Sequence, residues 1–285
     1  MKCRHREPRQ GRGDPPRHDE PRLGYDGGRK QERRMKLALL SDIHADLQAF
    51  QACLAHAREQ GAQRFALLGD MVGYGADPVA VVELAMRLAE AGAVVLQGNH
   101  DAMAVAPQQA GATLGASTAA WTHAQLGAAQ RDYLAGLPLL HAEGSLLLLH
   151  ASADAPERWH YVQDERSATT SLDAATSSRP ELRHVFGGHV HQQTLYYRGA
   201  GRALMRFEPT PGVALPLPRH RLWLATIGSV GQPRDGDPRA MYAIFDTARD
   251  QLSFHRVPYD HPAAAAAIRR AGLPEFFAAR LGVGH

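Results

Sequence analysis

Five short apolar runs in this chain each end in a polar cluster rich in Asp, Asn and His. Lys36–Leu40 precedes Asp42-Ile43-His44, Phe65–Leu68 precedes Gly69-Asp70, and Ala93–Leu96 precedes Gly98-Asn99-His100-Asp101. Leu146–Leu149 precedes His150, and Arg183–Phe186 precedes Gly188-His189-Val190-His191. Runs this short and this apolar read as strands buried on both faces. Helical spacing separates the first three. Leu47, Phe50, Leu54 and Ala57 share one face of Leu47–Gln60, and Pro78 opens a helix through Glu90 with Asp77 as its N-cap. The order βαβαβ implies parallel strands with right-handed crossovers. Strand ends of an open α/β sheet converge on one edge, where such folds bind ligands. The polar clusters are therefore expected to meet.

Residues 102–141 break this rhythm. Helical stretches around Thr113–Leu126 and Ala128–Leu137, with no strand between them, read as a helical insertion or cap. From Thr194 short strands dominate: Thr194–Arg198, Arg221–Thr226, Met241–Asp246 and Gln251–Val257. Their hairpin-like connections suggest a second, antiparallel sheet. Pro209–Pro218 is a proline-rich excursion, and helices at Pro262–Ala271 and Pro274–Leu281 follow. The expected architecture is two packed sheets with helices outside.

Charge is distributed unevenly. Residues 1–34 hold 11 Lys/Arg and 6 Asp/Glu, leaving 21 basic and 23 acidic residues in the rest of the chain. The basic segment is rich in Arg, Pro and Gly and lacks hydrophobic period, so it is expected to be a disordered, solvated tail. Nucleic acid is not expected as a partner, because only Tyr25 interleaves with the arginines. No run approaches the ~20 apolar residues of a membrane span. With Cys3 and Cys53 the only cysteines, no disulfide framework exists, and the expected compartment is the cytoplasm.

The polar clusters supply what a pair of divalent cations needs: oxygen and imidazole ligands, with one carboxylate able to bridge ions ~3.5–4 Å apart. The candidate metal ligands are Asp42, His44, Asp70, Asn99, His150, His189 and His191. Asp42 and His44, like His189 and His191, alternate by two and so point the same way on extended backbone. Without cysteine in the set, Mn²⁺, Fe, Zn²⁺ or Ni²⁺ fit it. His100 and Asp101 fall outside the ligand set, because adjacent residues at a strand end point apart. A histidine there, supported by a carboxylate, is placed to protonate a leaving oxygen. His141 and His184 read as non-ligands. Arg234 and Tyr74 are candidate contacts to an anionic substrate, Arg239 a weaker one. Trp159 and Trp121 read as packing residues.

The order Asp-x-His, Gly-Asp, Gly-Asn-His-Asp, His, Gly-His-x-His resembles the calcineurin-like metallophosphoesterase superfamily, over nearly all of residues 35–260. The resemblance implies a four-layer αββα sandwich, with two mixed sheets flanked by helices and 35–285 as one phosphoesterase domain. It implies that Asp42, His44, Asp70 and His191 hold one metal, and that Asp70 bridges to a second completed by Asn99, His150 and His189. His100 would be the general acid in an in-line attack by metal-bound hydroxide, with Asp101 behind it. Gly69–Pro78, His150-Ala151-Ser152 and Gly228–Gly236 are similar to a bacterial phosphodiesterase-type branch, some members of which act on dinucleoside polyphosphates. Two departures, Ile227 for proline and Val190 for threonine, touch no ligand position. The expected activity is that of a phosphodiesterase or pyrophosphohydrolase on small phosphoester or nucleotide substrates. The alternatives are a serine/threonine protein phosphatase and a non-catalytic metal-binding scaffold.

Overall fold

Alternation within each apolar run decides the architecture. In β1 (Lys36–Leu40), Leu37 and Leu39 face one core while Ala38 and Leu40 face another. Strands with two apolar faces must be covered on both sides. The structure, a computed structural model, describes Met1 and residues 35–107, 114–199, 201 and 203–285, with backbone only for 114–117. The expected basic tail, Lys2–Arg34, and Thr113 lie outside the described residues.

From Met35 onward the described residues form a single unit. The order is α1 (Leu47–Glu59), β2 (Arg64–Leu67), α2 (Pro78–Glu90), β3 (Val94–Val95), α3 (Asn99–Val105), α4 (Leu114–Gln125) and α5 (Ala128–Ala135). Then come β4 (Leu140–Glu143), β5 (Leu146–Leu149), α6 (Glu165–Ser178), β6 (His184–Gly187), β7 (Gln193–Arg198), β8 (Leu204–Phe207) and β9 (Ala214–Pro216). The chain continues with β10 (Leu222–Ile227), β11 (Ala240–Asp246), β12 (Gln251–Val257), α7 (His261–Arg270) and α8 (Glu275–Leu281).

Two six-stranded mixed sheets result, ordered β3-β2-β1-β11-β12-β9 and β4-β5-β6-β10-β7-β8. Between them lie Leu37, Leu39, Leu68, Leu146, Leu148, Phe186, Trp223 and Phe245. The outer face of the first sheet packs on α1 and α2 through Phe50, Leu54, Val81 and Val82. The outer face of the second packs on α6, whose Ala168, Leu172 and Ala175 meet Leu147, Leu149 and Val185. These are the four layers, helix, sheet, sheet, helix. No helix among the described residues is long and apolar enough to cross a membrane.

Strands β1, β2 and β3 are parallel, as are β5, β6 and β10 in the other sheet. Their carboxyl ends meet at one edge of the sandwich. The expectation of a separate antiparallel sheet after Thr194 fails. β11, β12 and β9 extend the first sheet from β1, whereas β10, β7 and β8 extend the second from β6. Hairpin spacing fixes local pairing and says nothing about which older strand the hairpin joins.

Segment 102–141 holds most of α3, then α4 and α5, and ends inside β4, which pairs with β5. Its Ala104, Leu126 and Leu134 are buried in the same core as α1 and α2. Trp121 is half-buried against the cluster formed by α7 and α8.

Candidate metal centre

Loops after the parallel strands are knitted together by backbone hydrogen bonds. The β1 loop bonds the β2 loop through Asp42 N to Gly69 O, His44 N to Asp70 O and Ala45 N to Met71 O. Val230 and Gly231, after β10, donate to the carbonyls of Ser41 and Asp42. His189 N donates to Asp42 Oδ2 at 2.8 Å, and Gly188 N to His150 O. A side chain at Gly188 would overlap Ser41 and Asp42, and one at Gly98 would overlap Asp70, so both positions exclude a Cβ.

Asp42, His44, Asp70, His189 and His191 all have φ between +52° and +67°. The pairs Asp42/His44 and His189/His191 therefore converge through left-handed turns, not through the pleat of extended backbone as their spacing suggested. Each such residue costs roughly 1–2 kcal/mol, and strain of this kind concentrates at functional sites.

All seven candidate ligands come together. Asp42, His44 and His191 form one group, and Asp70, His150 and His189 another, with ligand atoms within 4.8 Å of one another in each. Asp70 Oδ2 lies 3.9 Å from His44 Nε2 and 3.4 Å from His150 Nε2, between the two groups. Asn99 Oδ1 is 3.2 Å from His150 Nε2. His100 joins His44 and Asp70 in a third group, at the rim of the first two.

Backbone carbonyls set the tautomers. A carbonyl only accepts, so His44 Nδ1 facing Val72 O at 3.1 Å and His191 Nδ1 facing Gln232 O at 2.6 Å must both carry protons. In neutral rings the two Nε2 atoms are then bare, and they face each other at 3.1 Å. Asp42 Oδ1, 3.2 Å from His191 Nε2, is fully buried without a hydrogen-bond donor. His150 Nδ1 likewise faces Leu68 O at 2.7 Å, and its Nε2 faces His189 Nδ1 at 3.2 Å. The bare His44 and His191 nitrogens and the unpartnered Asp42 oxygen make a buried acceptor set that a cation would satisfy. This is the donor set that divalent metal ions occupy, with carbonyls orienting the imidazoles from behind.

Electrostatics agree. Burial opposes ionisation of Asp42 and Asp70, yet the imidazoles around them, His191 for Asp42 and His150 for Asp70, hold both below the usual carboxylate range. Burial and His191 push His44 well down, and burial and His150 take His189 down to about 4. Burial alone would lower His150 too, but the Asp70 carboxylate outweighs it and raises this group to about 9. A metal held by His150 would have to displace that proton.

Residues 35–250 match the calcineurin-like phosphoesterase superfamily domain. The chain belongs to this family. An uncharacterized protein of Methanocaldococcus jannaschii is 30% identical over 254 residues, 87% of this chain and 98% of that one. The crystal structure of a metallophosphoesterase from Sphaerobacter thermophilus is 33% identical, covers 88% of this chain and 99% of its own, and superposes with a TM-score of 0.77. A hypothetical protein from Pyrococcus horikoshii, at 19% identity and TM-score 0.68 over 88% of this chain and 98% of its own, shares the fold.

Around the phosphoesterase cluster, two expectations change. Asn99, His100 and Asp101 form the first turn of α3 instead of a strand end, so side chains a residue apart diverge by the helical rotation. Asp101 consequently turns away from His100. Its Oδ2 accepts from Asp70 N at 2.8 Å and Gly98 N at 2.9 Å, and its Oδ1 from Val72 N at 3.2 Å. It braces the loop that carries Asp70. Burial and then Asp70 raise its carboxyl to about 8.

Tyr74 packs its ring against His100 at 4.4 Å and His44 at 4.7 Å, and the Arg234 guanidinium lies 6.0 Å from its ring centre. Arg239 is paired with Asp237. Trp159 meets the His150 ring edge-on at 5.7 Å. His184 is buried in β6 with Nε2 on Leu217 O, and His141 lies in β4, away from the ligands' strand ends. Sequence reasoning passed over two residues. Tyr161, 52% exposed, stacks on His189 at 4.0 Å, and Arg280 of α8 reaches Gln232 Oε1 at 3.2 Å. Neither sits in a motif, and only tertiary packing brings them here.

Proposed function

We propose that residues 35–285 form a binuclear metal-dependent phosphoesterase, acting as a phosphodiesterase or pyrophosphohydrolase on small or nucleotide substrates. The observation that carries this reading is the convergence of buried imidazole nitrogens and the unpartnered Asp42 Oδ1 around Asp70. Asp42, His44, Asp70 and His191 would hold one divalent cation; Asp70, Asn99, His150 and His189 would hold the other. When bound, such cations supply Lewis-acid charge and make water nucleophilic at neutral pH.

The chain's own residues then have separate tasks. Val72, Gln232 and Leu68 carbonyls keep the imidazole protons on Nδ1 and the Nε2 lone pairs inward. Asp101 fixes the Asp70 loop through three amides. His100, 8% exposed at the rim, is placed to hand a proton to the leaving oxygen. Burial lowers its proton affinity, and an anionic ester bound beside it raises it again. Tyr74 and Arg234 flank the approach, and Tyr161 and Trp159 add aromatic surface that suits a base or aryl leaving group.

A panel of bis(p-nitrophenyl) phosphate, a dinucleoside polyphosphate, a phosphomonoester and a phosphopeptide, each with Mn²⁺, Ni²⁺, Mg²⁺ and Zn²⁺, tests the reading. Hydrolysis of the diester or polyphosphate is expected, with His100→Ala lowering kcat about 10²–10⁴-fold at unchanged metal content. Preference for the phosphopeptide would instead identify a protein phosphatase. No turnover of any substrate by metal-loaded protein, with the variant indistinguishable from wild type, would leave a metal-binding scaffold.

A further inference from the structure

The proposed substrate approach ends on two guanidinium groups that share one neutral acceptor. Arg234 Nη2 donates to Gln232 Oε1 at 2.8 Å, and Arg280 Nη1 donates to the same oxygen at 3.2 Å. Like charges are held together here, and no Asp or Glu among the described residues forms an ion pair with either. The acidic side chains of the same loop are engaged elsewhere: Asp235 with Arg256, and Asp237 with Arg239 and Arg256. Burial and the neighbouring Arg234 charge lower the Arg280 guanidinium to about 10. Arg234 Nε is buried with no hydrogen-bond acceptor.

Position ties the pair to the metal centre. Gln232 presents its backbone carbonyl to His191 Nδ1 at 2.6 Å and its side-chain oxygen to both arginines. Tyr74, whose ring touches His44 and His100, also packs on Phe277 of α8 at 5.1 Å. Helix α8 thus reaches the rim of the candidate site and brings Arg280 there. Arg280 also donates from Nε to His285 O and lies over the Phe276 ring. An orphaned Arg234 donor beside a second guanidinium, joined to a candidate metal ligand through Gln232, is a receptor for a multivalent oxyanion.

We infer that Arg280 and Arg234 form a second anion subsite that takes a further phosphate of the substrate, so that phosphate chains of two or more units are preferred over a lone phosphodiester. This rests on the phosphoesterase reading for its biological meaning, while the subsite itself is a binding property. It is tested with full-length, metal-loaded protein freed of excess metal and titrated calorimetrically with inorganic pyrophosphate and with orthophosphate. Wild type is expected to prefer pyrophosphate by about tenfold or more. Arg280→Gln should abolish that preference while orthophosphate affinity stays within about twofold. Arg280→Lys, which keeps the stem and charge but not the planar fork, should recover only part of it, and it decides the matter if Arg280→Gln does not fold. Absence of any preference in wild type overturns the inference, as does a full preference in the Arg280 variants. In parallel, Arg280→Gln should lower the kcat/KM ratio of diadenosine tetraphosphate to bis(p-nitrophenyl) phosphate about tenfold, mainly through KM. An equal loss on both substrates counts against the subsite. Should wild type turn over neither, the hydrolase reading falls, and the pyrophosphate titration still decides the subsite.

Discussion

Histidines cluster at the strand ends and again between α1 and β12, and the two groups differ sharply. At the strand ends, His44, His150, His189 and His191 crowd around Asp42 and Asp70 with ring nitrogens facing inward. Between α1 and the β11–β12 hairpin, His56 meets the Tyr242 hydroxyl at 2.6 Å, and His255 stacks on the Tyr242 ring at 4.9 Å and 17°. The second cluster lies on regular helix and strand, with no left-handed residue among its members. The charged groups that act on His255 are His56 and Lys36, not carboxylates. The strand-end histidines are buried, whereas His56 and His255 are half-buried around the buried Tyr242. What separates them is convergence of lone pairs with anions on strained backbone.

Substituting one residue at each place is the most direct way to break this contrast. Asp70→Asn keeps the shape but removes the charge shared by both halves of the candidate centre. It should lower activity about 10³-fold or more and reduce bound metal measured by elemental analysis. His255→Phe preserves the stack on Tyr242 and should leave activity within about threefold. Comparable losses from the two would erase the distinction.

Metal removal comes next in size. A chelator should lower the thermal midpoint, and restoring free metal at 100-fold its Kd should return about 2.7 kcal/mol. His150 in the metal-free protein keeps its proton up to about 9, so metal must compete with that proton. Apparent affinity should therefore fall as pH falls below about 9, by roughly tenfold per pH unit for one displaced proton. A flat Mn²⁺ titration between pH 6 and 8 would mean that no proton is displaced, at His150 or at any other ligand.

Much of this was readable before any coordinates. β1 and β12 stand at their expected limits, because a run apolar on both faces or alternating along its length admits one reading. The candidate ligands were legible for a similar reason, since each follows a run that reads as a strand. Elements with few apolar residues were not. Helix α6 buries only Ala168, Ser171, Leu172 and Ala175 and owes its start to the Asp164 cap on Ser167 N at 2.7 Å. β9 is a three-residue edge strand inside the proline-rich excursion, paired to β12. Asp101 was misjudged because the turn into α3 begins at Asn99, and a polar first turn looks like a loop. Arg280 and Tyr161 reach the site from distant segments, which no spacing encodes.

The smallest expected effect belongs to the distal cluster and sharpens the same contrast. Burial, then His56 and Lys36, lower His255 to about 4, below the 6.5 of an unperturbed histidine. The folded state thus prefers the neutral ring, while the unfolded chain takes up a proton near 6.5. Stability from this group is fully present above that value and is lost as pH falls from about 6.5 toward 4. Because the ring is only partly buried, the loss should be modest. His255→Phe cannot take up that proton, so its thermal midpoint should decline less than wild type across this window. The comparison belongs in metal-free protein, where the strand-end cluster contributes its own protons equally to both variants. If the two curves run parallel, His255 is as easily protonated folded as unfolded, and the polar stack around Tyr242 is better hydrated than its packing indicates.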